Sequence, residues 1–271
     1  MKSRFLMELT TPEVERYLSG RGTTALLPVG SVEMHGPHQP VGTDTLIAKA
    51  FCLRIAEAAD GLVLPEFHYS WAGSTDGCAG TISMGMDLEQ AIVETIAIRS
   101  YRMGFKRFVM VSVHAPNNHI LYLSARRIYE QHHRPAFFVD PYKPIDDAAV
   151  GVFAGDYEKS KEASLVLASL EVLGRPDLYS EEAMRYDEEA PPFPGSFQAL
   201  ERIGGAGYFM QDPRQHACPS RFVSKEKGLQ FIARQSAAIA AVLPDLDSYA
   251  AEAARQGNQG WSAHEDKATR S

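Results

Sequence analysis

MDLEQAIVETIAIRSYRMGFKRFVMVSV, Met86–Val113, decides the fold. Its first part, Met86–Met103, reads as a helix with Asp87 near its start and Gly104 just past its end, the residue on which helices commonly stop. Its last part, Arg107–Val113 (RFVMVSV), is almost continuously apolar, as a strand covered on both faces of a parallel sheet must be. The same alternation extends in both directions. Thr24–Val29 (TALLPV) is a short apolar run ending at Gly30 and reads as a buried strand. Thr45–Ala59 places Leu46, Ile47, Ala50, Phe51 and Ile55 at helical spacing, with Thr43 or Asp44 suited to cap it. Gly61–Tyr69 reads as a strand, Leu121–Gln131 as a helix and Ala136–Asp140 as another strand. Strands alternating with helices predict one three-layer α/β/α domain with a mostly parallel central sheet.

After residue 150 the pattern is less regular. Lys161–Leu173 and Ser224–Leu243 read as helices, while Tyr179–Gly195 is acidic and Pro-rich and reads as a surface excursion. The domain is expected over residues 1–256, followed by a polar tail, 257–271. The chain has 271 residues, 45% apolar and 23% charged, which is globular composition. Its net charge of −7 argues against nucleic-acid and anionic-membrane partners, which need a basic face. Cys52, Cys78 and Cys218 cannot make a disulfide framework. Glu8, Glu13 and Glu15 stand where a secretory signal would be apolar. The expected setting is the cytoplasm.

The chemistry concentrates in PVGSVEMHGPHQPVGTDT, Pro28–Thr45. In extended backbone Glu33 and His35 put their side chains on one face. His38 follows, and Asp44 stands just before the helix; the glycines and prolines between them make a shaped loop. Carboxylates and imidazoles at the end of an α/β strand suit a divalent ion such as Zn²⁺ or Mn²⁺, and open α/β sheets place their sites there. The plainer reading of Asp44 is a helix N-cap. His119, His132, His133, His216 and His264 read as surface groups. Cys78 reads as a small buried thiol, and Gly204, Gly205 and Gly207 as something other than a phosphate loop.

Leu27–Thr45 closely resembles the signature of the creatininase family, Gly-[Ser/Ala]-x-Glu-x-His-Gly-Pro-His-x-Pro-x-Gly-Thr-Asp. The resemblance implies that Glu33, His35 and Asp44 ligate metal, with Asp44 bridging two ions. The family's Asn-Gly-His-Gly-Gly-Asn is met here by Ser112-Val113-His114-Ala115-Pro116-Asn117, which keeps the ligand histidine as His114 and the asparagine as Asn117. Members that hydrolyse creatinine carry a glutamate two residues after that histidine, where this chain has Pro116. The later motif His-Ala-Gly-Glu-x-Glu-Thr-Ser aligns without a gap on Phe153–Ser160, which makes Glu158 the late metal ligand and replaces the proton-transferring histidine with Phe153. A shifted alignment on Glu162-Ala163-Ser164 makes Glu162 the ligand. The Ala-Gly-Asp context favours Glu158. Ala72–Ser83 and Gly204–Gly228 resemble further family segments.

The resemblance implies a metal-dependent amidohydrolase acting on a cyclic amide, a formamide or a small peptide-like substrate. The expected cofactors are one or two Zn²⁺ or Mn²⁺ ions, with Fe²⁺ as an alternative, and the expected assembly is a homo-oligomer, with a hexamer the family's example. With Phe153 in the histidine's place, His38, Asp156 and Glu162 are the candidates for moving protons. Two other classes stay open: a non-hydrolytic metal enzyme such as an isomerase or lyase, and a binding or scaffold member without turnover.

Overall fold

The strand expected at Arg107–Val113 runs over Arg107–Val111 and sits inside the sheet. In the computed structural model, which describes residues 1–20, 23–143, 145, 149, 151–192, 195–203, 212–216 and 219–257, the strands are β1 (Thr24–Pro28), β2 (Leu62–Val63), β3 (Arg107–Val111) and β4 (Phe137–Val139). They pair in the order β2-β1-β3-β4, every pair parallel. β1 and β3 match residue for residue, from Thr24 opposite Arg107 to Pro28 opposite Val111. Their carboxyl ends are therefore level. The helices are α1 (Thr11–Leu18), α2 (Thr43–Ala59), α3 (Met86–Met103), α4 (Ala115–His132), α5 (Lys161–Val172), α6 (Gly195–Arg202), α7 (Lys225–Val242) and α8 (Asp245–Gly257).

The period-2 geometry of a strand divides the core in two. Ala25, Leu27, Phe108 and Met110 pack with Val93 and Ala97 of α3 and with Leu121 and Ile128 of α4. Leu26, Val109 and Val111 pack on the opposite side with Ile47 and Phe51 of α2, Leu165 of α5, and Phe231 of α7. Each fully buried Leu or Phe contributes roughly 1.5–3 kcal/mol. The result is the expected α/β/α arrangement, with helices on both faces.

Three departures from the sequence reading have local causes. The strand expected over Gly61–Tyr69 shortens to Leu62–Val63, with one further bridge between Val29 and Phe67. Pro65 lies between them and has no N–H to give a ladder. α4 starts at Ala115, six residues ahead of the expected Leu121, because Pro116 falls in its first turn, where a missing N–H costs nothing. α1 and α8 lie outside the expected elements. α1 is fixed by a capping box between Thr10 and Glu13, and α8 runs through the expected tail boundary; residues 258–271 lie outside the described ones. The excursion at Tyr179–Pro192 carries no helix or strand. It is anchored by the fully buried Met184, whose carbonyl accepts from Ser220 Oγ at 2.7 Å. No helix among the described residues is long and apolar enough to cross a membrane.

Candidate metal centre

The level ends of β1 and β3 deliver the site. Past β1 the chain continues from Gly30 to His35 without helix or strand, and the start of α2 folds back against Gly30. A Cβ on Gly30 would lie 2.2 Å from Thr45 Oγ1, so only glycine lets the two segments approach this closely. Thr45 Oγ1 donates to the Ser31 carbonyl at 2.8 Å, and Glu33 N donates to the Val41 carbonyl at 2.8 Å. The loop is thereby closed on itself. Asp44 is not the cap of α2: Gly42 holds that position, and Asp44 stands in the first turn, 2% exposed. Its Oδ2 accepts from Ser31 Oγ at 2.8 Å. From the end of β3, His114 enters at the N-cap of α4, and Asn117 ties the two strand ends together by donating to the Gly30 carbonyl and Ser112 Oγ.

Donor atoms of Glu33, Asp44 and His114 all lie within 4.8 Å of one another, and so do those of His35, Asp44 and Glu162. Asp44 belongs to both groups. A third group joins Glu33, His35 and His216. His114 Nδ1 is 2.7 Å from Glu33 Oε1 and 2.9 Å from Asp44 Oδ2, and His35 Nε2 is 3.5 Å from Asp44 Oδ2.

The outer nitrogens of both imidazoles are already used. His114 Nε2 donates to the Trp71 carbonyl at 3.0 Å, and His35 Nδ1 donates to the Glu33 carbonyl at 3.1 Å. Each ring therefore turns its other nitrogen to the carboxylates, the orientation that metal-ligating histidines take. Thr75 Oγ1 donates to Glu33 Oε2 at 2.8 Å, and Gln39 Nε2 donates to Glu162 Oε2 at 3.1 Å. The carboxylates are thus oriented as well.

Protons hold the cluster together. Burial alone would lower the imidazole of His35, but the Asp44 carboxylate outweighs it and lifts the group to about 10. Burial likewise opposes, and hydrogen bonds to Asp44 and Glu33 overcome, in raising His114 well above its ordinary value. Against its own burial, Asp44 is pulled well below the usual carboxylate range, first by His35 and then by His114. Glu162 is pushed up, first by burial and then by the Asp44 charge left after His35 has pulled the other way. Buried carboxylates and imidazoles that pay for one another with protons form a donor set that divalent ions can take over, releasing those protons.

The structure sorts the expected site residues. Glu33, His35, Asp44 and His114 come together. Glu158 does not: it is exposed at the end of a 3-10 turn, Gly155–Tyr157, and Glu162, one helical turn later at the start of α5, joins His35 and Asp44 instead. Asp156 is also exposed on that turn, beside Lys159 and Arg221. Phe153 is buried, its ring 5.6 Å from that of Phe231. With Glu162 in the ligand position, the family's histidine falls on Tyr157, which packs on Phe222 rather than on the cluster.

His38 lies beside the cluster. It is 9% exposed and stacked flat on Tyr186 at 4.9 Å, and neither ring nitrogen has a hydrogen-bond partner among the described residues. It lines a cavity of about 700 Å³ with Met34, Arg185 and Arg214. Burial, and then the neighbouring His35, hold it down at about 4. His216, read from sequence as a surface group, closes a short 3-10 helix, Pro213–His216, with its ring edge-on to His35 at 5.2 Å. Nothing in its local sequence, DPRQH, distinguishes it from a surface histidine.

An open parallel sheet with carboxylates and imidazoles gathered at its strand ends defines an α/β protein built to hold divalent ions. The family model for creatinine amidohydrolase matches residues 7–243, and the chain belongs to the creatininase family. Over 122 residues it is 32% identical to creatinine amidohydrolase of Pseudomonas putida, covering 43% of this chain and 47% of that protein. Over 145 residues it is 33% identical to the mycofactocin precursor peptide peptidase of Mycolicibacterium smegmatis, covering 50% of this chain and 57% of that protein. The chain spans about half the length of these relatives in those matches. A crystal structure of creatinine amidohydrolase superposes with a TM-score of 0.71 at 25% identity, covering 90% of this chain and 98% of that one. A manganese form of creatininase, 24% identical, and a zinc–zinc form of a creatininase variant, 22% identical, share the fold over the same fractions, with TM-scores of 0.71 and 0.74.

Proposed function

We propose that this chain is a metal-dependent amidohydrolase that cleaves a C–N bond in a small amide or peptide-like substrate. The observation that carries the reading is the pair of three-residue donor groups sharing Asp44. One ion position is defined by Glu33, Asp44 and His114, the other by His35, Asp44 and Glu162. Oxygen and imidazole donors of this kind suit Zn²⁺ and Mn²⁺, the metals of the two related structures. Ions held there supply a water of lowered pKa and polarise the scissile carbonyl.

The chain's own residues do the rest. Trp71 and Glu33 carbonyls fix the two imidazoles, and Asp44, bound by Ser31, stays ionised between them. His216 lies within reach of one residue of each position, Glu33 and His35, without sharing in Asp44. It therefore faces the space where a substrate carbonyl meets both positions and offers it a hydrogen bond. This gives the reaction an imidazole that the family's late motif no longer provides. Pro116, in the place of the glutamate found in creatinine-hydrolysing members, argues for a substrate other than creatinine.

The deciding experiment is metal analysis of protein purified without chelator, followed by a screen of lactams, formamides and short peptides with Mn²⁺ or Zn²⁺. Two ions and turnover of an amide are expected; no ion and no affinity on titration defeat the reading. The chain is further proposed to work in the cytoplasm as a homo-oligomer. An apolar groove between α4, β4 and the α7–α8 corner, with Tyr122, Val242 and Tyr249 exposed, supports association. A monomer by light scattering at micromolar concentration overturns that part.

A further inference from the structure

Glu89 is a carboxylic acid with no evident reason to be buried. It stands in the first turn of α3, 0% exposed, while Asp87 of the same turn is in solvent, where acids at helix starts ordinarily sit. Its Oε2 accepts from Trp71 N at 2.9 Å, and its Oε1 has no partner among the described residues. Burial pushes the group up to about 6. A fully buried acid is costly unless a specific contact holds it there.

What it holds is Trp71, whose carbonyl takes the Nε2 proton of His114. The next residues repeat the arrangement. Ala72 N donates to Ser83 Oγ at 3.0 Å, and Thr75 Oγ1 donates to Glu33 at 2.8 Å. Ser70 Oγ donates to the Gly30 carbonyl at 2.6 Å, tying the segment to the end of β1. Ser70–Thr75 thus reaches two of the three donors around one ion position. Among the described residues it makes no hydrogen bond to His35, whose partners are the Glu33 carbonyl and Asp44, or to Glu162, whose partners are Gln39 and Tyr142.

We infer that Glu89 is a positioning residue for the Glu33–Asp44–His114 position alone: by clamping Trp71 it sets the direction in which His114 presents Nδ1. This rests on the two-ion reading above. Partners of a ligating histidine typically govern its metal affinity by about 10–100-fold, and here the control passes through one backbone residue.

The test is calorimetric titration of Mn²⁺ into the chelator-stripped full chain, with circular dichroism to check folding. Glu89→Ala should weaken one ion by roughly 10–100-fold and leave the other unchanged. Glu89→Gln, whose side-chain carbonyl still accepts from Trp71 N, should bind both ions within a few-fold of the parent. In a Glu162→Gln background, which removes the other ion, Glu89→Ala should weaken the one that remains. Ser83→Ala, which loosens the same segment at Ala72, should act on the same ion and serves where Glu89→Ala does not fold. Wild-type binding of both ions in Glu89→Ala (or in Ser83→Ala, where that variant has to stand in), equal weakening of both, or failure of Glu89→Gln to restore affinity each overturns the inference. A parent chain that takes up no Mn²⁺ defeats the two-ion reading itself, a result distinct from these.

Discussion

The two proposed ion positions share a carboxylate, Asp44, but are built differently. Around Glu33, Asp44 and His114 every donor is at most 3% exposed, and each comes from a segment fastened to the ends of β1 and β3. Ser31, Thr75 and Trp71 complete the hydrogen bonding of that side. Around His35, Asp44 and Glu162 the third donor comes from α5, past irregular chain, and is only partly buried. Glu162 also lines a cavity of about 160 Å³ with Gln39, Tyr142 and Lys161. The closed position is set by the sheet; the open one is completed by whatever the second half of the chain brings to it.

Asp44→Asn tests what the two positions share, and its effect should be the largest. Asparagine caps helices about as well as aspartate, and Asp44 is not the cap in any case. The change removes the negative charge that serves both groups. Both ions and essentially all activity should be lost. In the metal-free protein, removing one partner from the buried His35–Asp44–His114 array should cost about 3–5 kcal/mol in chemical denaturation. Full metal content in this variant would end the shared-carboxylate account.

Glu162→Gln separates the positions. It should leave one ion per chain by elemental analysis, while Glu158→Gln keeps both. The reverse result would restore the gapless alignment on Glu158 and contradict the packing of α5.

How legible each position was follows from the same difference. Glu33 and His35 two apart in extended chain, Asp44 just ahead of a helical pattern, and His114 at the end of an apolar run are local signals with fixed geometry. Sheet pairing between β1 and β3 then brings them together without further choice. Glu162 had no such anchor. Between Gly151 and Lys161 the chain makes two 3-10 turns, Gly151–Phe153 and Gly155–Tyr157, and the number of residues those turns consume decides which acid reaches His35. The Ala-Gly-Asp context matched a motif, but the turn count set the register, four residues on. His216 arrives from a still more distant irregular segment, and Glu89 looked like any acid at a helix start.

His216→Asn probes the open side from the substrate's direction. If His216 gives a hydrogen bond at the reacting carbonyl, both ions stay and kcat falls by roughly 10²–10³, the usual cost of one such donor. Loss of metal would make it a ligand instead. An unchanged kcat would remove it from the chemistry.

The smallest effect expected is on stability, and it separates the metal-free cluster from the loaded one. Free imidazole titrates near about 6.5 in an unfolded chain, whereas in the folded chain His35 is lifted to about 10 and His114 well above its ordinary value. The folded state therefore holds protons that the unfolded state has released. That contribution is complete below about pH 6.5 and is lost as pH rises through the folded value near 10. Chelator-stripped protein should lose several degrees of Tm between pH 7 and 10. With Mn²⁺ or Zn²⁺ bound, the same nitrogens carry ions instead of protons, and the decline over this window should shrink or vanish. Differential scanning fluorimetry of the two forms side by side measures this directly. Parallel declines would mean that His35 and His114 are not the groups the ions displace.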